Sequence, residues 1–233
     1  MLAVALTFII GGAIGVWYAR VSSNLQKLLK ATPTSCISNL SAGQFVEVKG
    51  TVDCQFPLKV PGSERKCVYY SYELQRRERK RNSNSITEYE WHTIKRGEDQ
   101  TPFILKDESG SIDVNLLGAE IEAEVILDQL VDPLKDSNST IVKAFFYMSQ
   151  LTAGIHERII VKAIELGSDV YCLGTVLESA DGKLRIGRGT KRFFLSTSSE
   201  EQVKNSTVER ILLGYILGGA AILFGVYLLF VKN

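Results

Sequence analysis

Two stretches without a single charged side chain bracket this sequence, so whatever folds between them does so on a chain with apolar ends. Residues 2–19 read LAVALTFIIGGAIGVWYA and residues 211–231 read ILLGYILGGAAILFGVYLLFV. At about 1.5 Å of rise per residue, helices of these lengths match a hydrocarbon layer roughly 30 Å thick. Arg210 and Lys232 bound the second stretch, and Trp17, Tyr18 and Tyr227 lie near segment ends, where amphipathic rings favour the headgroup layer. A secretory signal opens with basic residues and ends on small ones. The first stretch has no basic start and ends on the bulky Trp17 and Tyr18. A soluble core helix confines its apolar residues to one stripe, whereas the second stretch is apolar all round. The sequence therefore predicts an integral two-pass protein of a prokaryotic cell membrane or an organelle membrane, with the lipid bilayer as its first partner.

Each span carries a small-xxx-small pair, Gly11 with Gly15 and Gly214 with Gly218. That spacing bares two backbone patches on one helix face and permits close packing between the spans or between copies in a homo-oligomer. Glycine is also simply common in membrane helices, which is the plainer account of both pairs.

Between the spans the residues predict juxtamembrane helices over 20–43, a β-rich domain over 44–197 and a polar helix or linker over 198–210. Ser22 or Ser23 is placed to cap one short helix and Thr34 a second through Leu40. FVEVKGTV at 45–52 alternates as a half-buried strand with Glu47 and Lys49 on the polar side, and Gly50 is expected to mark a bulge. CVYYSYEL at 67–74 runs into the charged RRERKRNSNS, and ITEYEWHTI at 86–94 brings the chain back, so a long hairpin with a basic tip is expected. PFILKDESGSIDVNL gives the clearest hairpin, turning at Asp107 to Gly110. Residues 118–154 are less regular, with 132–140 reading as a loop. VYCLGTVLES, KLRIG and RFFLS supply the last strands, and LGTV at 173–176 echoes VKGTV at 48–52, a half-repeat too short to stand alone. Hairpins without βα alternation predict a mainly β domain with some α, an OB-like barrel or a sandwich, flanked by two transmembrane helices.

A formal net charge of +1 excludes global attraction to nucleic acid, and no nucleic-acid partner is expected. Cys36, Cys54, Cys67 and Cys172 form no CxxC pair, only His92 and His156 could supplement them, and the sequence leaves a disulfide open. No metal, cofactor or catalytic residue is expected, because there is no phosphate loop, HExxH spacing or framed nucleophile.

Several segments together resemble a known family. They are the FVEVKGTV strand, Pro57 and Leu58, CVYYSYEL with Cys67, Tyr69, Tyr70, Tyr72 and Glu73, Trp91, PFILKDESGSIDV and Glu157. GSDVYCLGTV with Gly167, Tyr171 and Gly174, and RFFLS, complete the set. In order, and between two spans, they resemble the GIDE-type membrane RING E3 ubiquitin ligases of mitochondria and chloroplasts and their RING-less prokaryotic relatives. The resemblance implies a domain that senses or holds partners and a zinc-binding RING after the second span. Only Lys232 and Asn233 follow that span, so the expectation is a RING-less binding or scaffold protein without intrinsic catalysis. The alternative is a component of a ubiquitin-like conjugation, membrane-stress or organelle-organisation pathway that needs a separate catalytic subunit.

Two sets of residues are candidate contacts for a protein partner, lipid or small ligand. Arg76, Arg77, Arg79, Lys80 and Arg81 concentrate positive charge suited to anionic headgroups or an acidic partner, although a solvated hairpin end explains them as well. Tyr69, Tyr70, Tyr72 and Trp91 could line a groove, although rings on adjacent strands more often pack a core. For the side of the membrane, Arg20, Lys27, Lys30, Lys204 and Arg210 flank the spans and lean the domain to the cytoplasm, whereas the resemblance implies the intermembrane space.

Overall fold

The computed structural model describes residues 2–81, 87–131, 139–149, 157–198 and 200–230. The chain divides into two units, Met1–Thr34 with Ser199–Asn233, and Ser35–Ser198.

The first unit pairs α1 (Leu2–Ala31) with α3 (Glu200–Phe230). Each predicted span continues without a break into its polar flank, so Ser22 and Ser23 lie inside α1 and cap nothing. Residues 20–31 contain no glycine or proline to interrupt the hydrogen-bond ladder, and the helix stops only when Pro33 disfavours helical backbone at Thr32. The helices cross antiparallel at bare backbone. A Cβ on Gly218 would lie 2.8 Å from the Gly12 carbonyl oxygen, and one on Gly214 would lie 2.9 Å from that of Gly15. Gly15, Gly214 and Gly218 thus sit at the crossing, but Gly11 meets nothing within 4 Å, and the neighbouring Gly12 holds the place expected for it. The segments Ala3–Val21 and Ile211–Phe230 are long and apolar enough to cross a membrane. Only 17% and 11% of them is buried, unlike a soluble core helix.

The second unit is built on a closed barrel of β1 (Phe45–Asp53), β5 (Phe103–Asp107), β6 (Gly110–Val114), β10 (Asp169–Glu178) and β11 (Leu184–Gly187). The ring runs β1-β5-β6-β11-β10 and closes through β1–β10, with every pair antiparallel except β6–β11. Numbered among themselves, these strands have the order 1-2-3-5-4-1, the connectivity of a five-stranded OB-type Greek-key barrel. Val48, Leu105, Ile112, Val114, Cys172, Val176 and Ile186 fill its interior. Asp107 secures the β5–β6 turn as its Asp-Gly chemistry predicted. Burial alone would push its carboxyl up, but hydrogen bonds from the Ser109 hydroxyl and from the backbone N–H groups of Ile37, Ser109 and Gly110 hold it below the usual carboxylate range. The expected helix at Thr34 to Leu40 is only a 3-10 turn at Ile37–Asn39, because the Ser35 N–H is drawn to the Glu47 carbonyl, 2.8 Å away.

A second sheet is inserted into the barrel's connections. It contains β2 (Leu58–Lys59), β3 (Lys66–Arg81), β4 (Thr87–Gln100), β8 (Glu124–Val131) and β9 (Glu157–Glu165). The remaining strands, β7 (Glu120–Glu122) and β12 (Phe194–Ser196), extend the barrel sheet from β10. α2 (Thr140–Ser149) covers the inserted sheet with Phe145, whose ring meets Tyr70 and Tyr72 at 6.3 and 4.9 Å. β3 serves both cores, since Val68 and Tyr69 belong to the barrel cluster and Tyr70, Tyr72 and Leu74 to the other. β9 escaped the sequence reading, although its Ile159, Val161 and Ala163 alternate inward as a strand requires.

The weak echo between residues 48–52 and 172–176 proves structural. Gly43–Val52 and Gly167–Val176 are identical at five of ten positions and are each other's ladder partners about Val48 and Cys172. Their main-chain bonds repeat. The Gly43 N–H donates to the Val176 carbonyl (2.8 Å) as the Gly167 N–H does to that of Val52 (2.9 Å), and the N–H groups of Val176 and Val52 donate to Gln44 and Ser168 in the same way. Gly43 and Gly167 both need positive φ, +84° and +78°. Equivalent positions also hold Glu47 and Tyr171, and the Tyr171 hydroxyl donates to Glu47 Oε2 at 2.7 Å, both residues buried. The expectation of an outward Glu47 is therefore corrected, because this partner compensates its burial. Gly50 makes no bulge. Its ladder to β10 is unbroken, and a Cβ there would stand 2.4 Å from the Lys106 carbonyl oxygen. Register shifts occur in β3 instead, between Leu74 and Gln75 and between Cys67 and Tyr69. Tyr171→Phe is expected to cost about 1–2 kcal/mol by removing one buried hydrogen bond, read as a lower thermal midpoint in detergent, with an unchanged midpoint contradicting it.

Candidate functional site

Across the outer face of the barrel one row of register partners runs Asp53, Ile104, Asp113, Arg185, Leu177 over β1, β5, β6, β11 and β10. Inward neighbours Leu105, Ile112, Val114 and Ile186 fix these side chains outward by the period-two alternation of a strand. The chain leaving β1 at 54–56, the chain entering β5 at 101–102 and the β10–β11 loop at 179–183 rise around the row and enclose an open cleft of about 460 Å³. The Cys54 thiol donates to the Pro102 carbonyl at 3.4 Å, tying two of these segments together. In the loop, the Lys183 backbone N–H donates to Asp181 at 3.3 Å and its Nζ lies 3.6 Å away, and the two hold that carboxyl below its ordinary range. Phe56 stands 78% exposed at the rim. Arg185 lines the wall, and its buried Nε has no hydrogen-bond acceptor among the described residues. This is the face, strands two and three with the first and fourth loops, on which OB-type barrels carry ligands. None of its residues was predicted from sequence as a contact for a partner or ligand. Only the strand order assembles them, and the one available signal was the expectation of an OB-like barrel.

The predicted aromatic groove does not converge. Tyr69, Tyr70 and Tyr72 are all buried, and burial pushes the phenols of Tyr69 and Tyr70 up. Tyr69 and Tyr72 help line a second cleft of about 450 Å³, where Tyr69 donates to Glu98 at 3.1 Å and the Tyr72 ring covers Gly97. Trp91 lies elsewhere, on β4 opposite Arg77.

The basic run belongs to strand β3, and its members differ. Among the described residues the pairing of β3 with β9 reaches Arg76–Glu157, and β3 and β4 pair on to Arg81 and Thr87. Arg76 donates through Nε (3.1 Å) and Nη2 (2.7 Å) to Oε1 of the fully buried Glu157, so its charge is committed to the fold. Arg77 lies over the Tyr89 ring, 4.4 Å from its centroid. Arg79, Lys80 and Arg81 take register positions opposite Tyr89, Glu88 and Thr87, and the tip at 82–86 lies outside the described residues. An aromatic ring thus meets Arg77 across the strand pair rather than along the sequence.

Of the two histidines, His92 lies 3.7 Å from Glu90, and His156 is outside the described residues. Among the described residues there is no grouping of three or more metal-ligating side chains, and the four cysteines are free thiols. Burial pushes the Cys67 thiol to about 11 and that of Cys172 to about 12, leaving both protonated and unreactive at neutral pH.

Fold and site define a class, an OB-type barrel carrying an inserted sheet, with an open cleft on its outer face and an apolar helix at each end of the chain. Residues 72–229, more than half of the chain, match the model of the family described as GIDE, E3 ubiquitin ligase, and the protein belongs to that family. The match runs from β3 through the cleft-lining parts of β5, β6 and β11 into α3. No curated protein matches the chain.

Arg76→Ala is expected to destabilise the protein by about 1–3 kcal/mol because it removes the cation that answers a buried carboxylate, whereas Arg77→Ala costs under about 1 kcal/mol. Thermal unfolding of the two variants decides this, and equal losses would contradict the division of roles.

Proposed function

We propose that the protein is a two-span, membrane-held binding component of the ubiquitin-ligase family that receives a protein partner on the open face of its barrel. The ligase step is left to a separately encoded subunit. The observation that carries this reading is the cleft itself, a built concavity on the ligand-bearing side of an OB-type barrel with an exposed ring and a guanidinium lacking an acceptor for Nε. α1 and α3 act as its bilayer anchors, supported by their exposed apolar lengths. Affinity capture of the full chain from detergent extracts tests the reading. Wild type should retain a partner that the Phe56→Ala/Arg185→Gln double variant loses at equal thermal stability, and equal retention would remove the cleft as the contact.

The β3–β4 strand pair supports a second contact, with anionic lipid headgroups. Arg77, Tyr89 and Trp91 combine cation and amphipathic rings in the way interfacial segments do. With Trp17→Phe leaving Trp91 as the sole tryptophan, its emission should shift to the blue in nanodiscs of anionic relative to neutral lipid. The shift should vanish at high salt and on replacing Arg77, Arg79, Lys80 and Arg81 with Ser. Emission insensitive to headgroup charge would remove this contact.

A further inference from the structure

We infer that the barrel cleft reads an extended acidic peptide, taking one carboxylate on Arg185 and an apolar side chain on Phe56. This rests on the cleft being the partner contact proposed above, and it names the chemistry of that contact.

Arg185 is held in the outer row by backbone pairing to Asp113 on β6 and Leu177 on β10. Its side chain is half-buried against the cleft wall, and its Nε is covered with no acceptor among the described residues. A donor of that kind carries a desolvation cost that the fold leaves uncompensated. A carboxylate approaching side-on accepts from Nε and one terminal nitrogen together, the paired geometry in which guanidinium groups bind carboxylates most strongly.

The other charges decide which anion fits. Lys183 is engaged by Asp181, so among the described residues the cleft lining offers Arg185, with its unpartnered Nε, rather than a string of cations. Asp113 is exposed on the next strand of the same row, and its negative charge opposes any anion, a chain of phosphates more strongly than a single carboxylate. Phe56 is the one strongly exposed ring at this face, whereas single-stranded nucleic acid is held by successive rings within a basic groove. Beside it Pro102 adds apolar surface, so a ligand with one acid and a neighbouring apolar group complements what the cleft presents. A peptide supplies both within a few residues, and a volume of about 460 Å³ holds a short segment rather than a folded surface.

The test is selection from a random octapeptide library on the full chain in nanodiscs, with oligothymidylate as competitor. Selected peptides should share an acidic position. Replacing that residue by its amide should weaken binding to wild type about tenfold or more, the loss of one charge-assisted hydrogen bond. The same replacement should make little difference to Arg185→Gln, while Phe56→Ala should weaken both forms of the peptide equally. The comparison is made on the ligand, so it does not depend on how well any one variant folds. Selection without an acidic position, an amide penalty unchanged in Arg185→Gln, or displacement by oligothymidylate would overturn the inference. If peptides bind through Phe56 with no charge preference, the carboxylate assignment fails and the cleft contact survives. If no peptide binds and partner capture persists in the double variant, the cleft contact fails as well.

Discussion

The β1–β10 ladder closes the barrel, and the rest of the β unit depends on that closure. Without it the five strands would form an open sheet with two unpaired edges, and the outer row from Asp53 to Leu177 would have no curvature to rise from. The ladder is made by two similar segments meeting about Val48 and Cys172, so the main-chain bonds on one side of that centre recur on the other. The similarity has a physical content at each shared position. Gly43 and Gly167 turn the chain with positive φ, while Gly50 and Gly174 admit a neighbouring strand or side chain where a Cβ would collide. Glu47 and Tyr171, which differ, answer each other with a buried hydrogen bond.

The inserted sheet extends the barrel rather than standing apart from it, because β3 gives Val68 and Tyr69 to one core and Tyr70, Tyr72 and Leu74 to the other. Its register shift between Cys67 and Tyr69 lets one strand serve both. The same strand explains why a run of like charges has unlike roles. Opposite Glu157 of β9, Arg76 neutralises a carboxylate that the sheet has buried, and one residue further on Arg77 meets an aromatic ring on β4. Position along the ladder, not residue type, separates a structural cation from one available to a partner.

Family membership and barrel geometry bear on different questions. The matched span joins this chain to the ubiquitin-ligase family, and the barrel geometry opens a cleft of about 460 Å³ on its outer face. Helices α1 and α3 approach each other through Gly12, Gly15, Gly214 and Gly218, at a distance only glycine allows.

Much of this architecture was legible in the residues. Charge-free length announced the apolar helices, period-two alternation with Asp-Gly turns announced the hairpins, and hairpins without helical crossovers announced a barrel, because these patterns are local consequences of burial and backbone geometry. β9 was missed although its alternation is equally plain, and Glu47 was set on the wrong side because its partner lies far off in the sequence. The cleft was not legible at all. Phe56, Asp113 and Arg185 are unremarkable where they stand in the chain, and they become a site only when the ring order places β11 beside β6 and folds two distant loops over them. Sequence by itself determined the apolar helices, most of the strands and, Glu47 apart, the faces they bury, since those follow from neighbours a few residues away. Which charges are neutralised, which rings meet and where a concavity opens were decided only by tertiary structure, because each depends on strand pairings that no local pattern encodes.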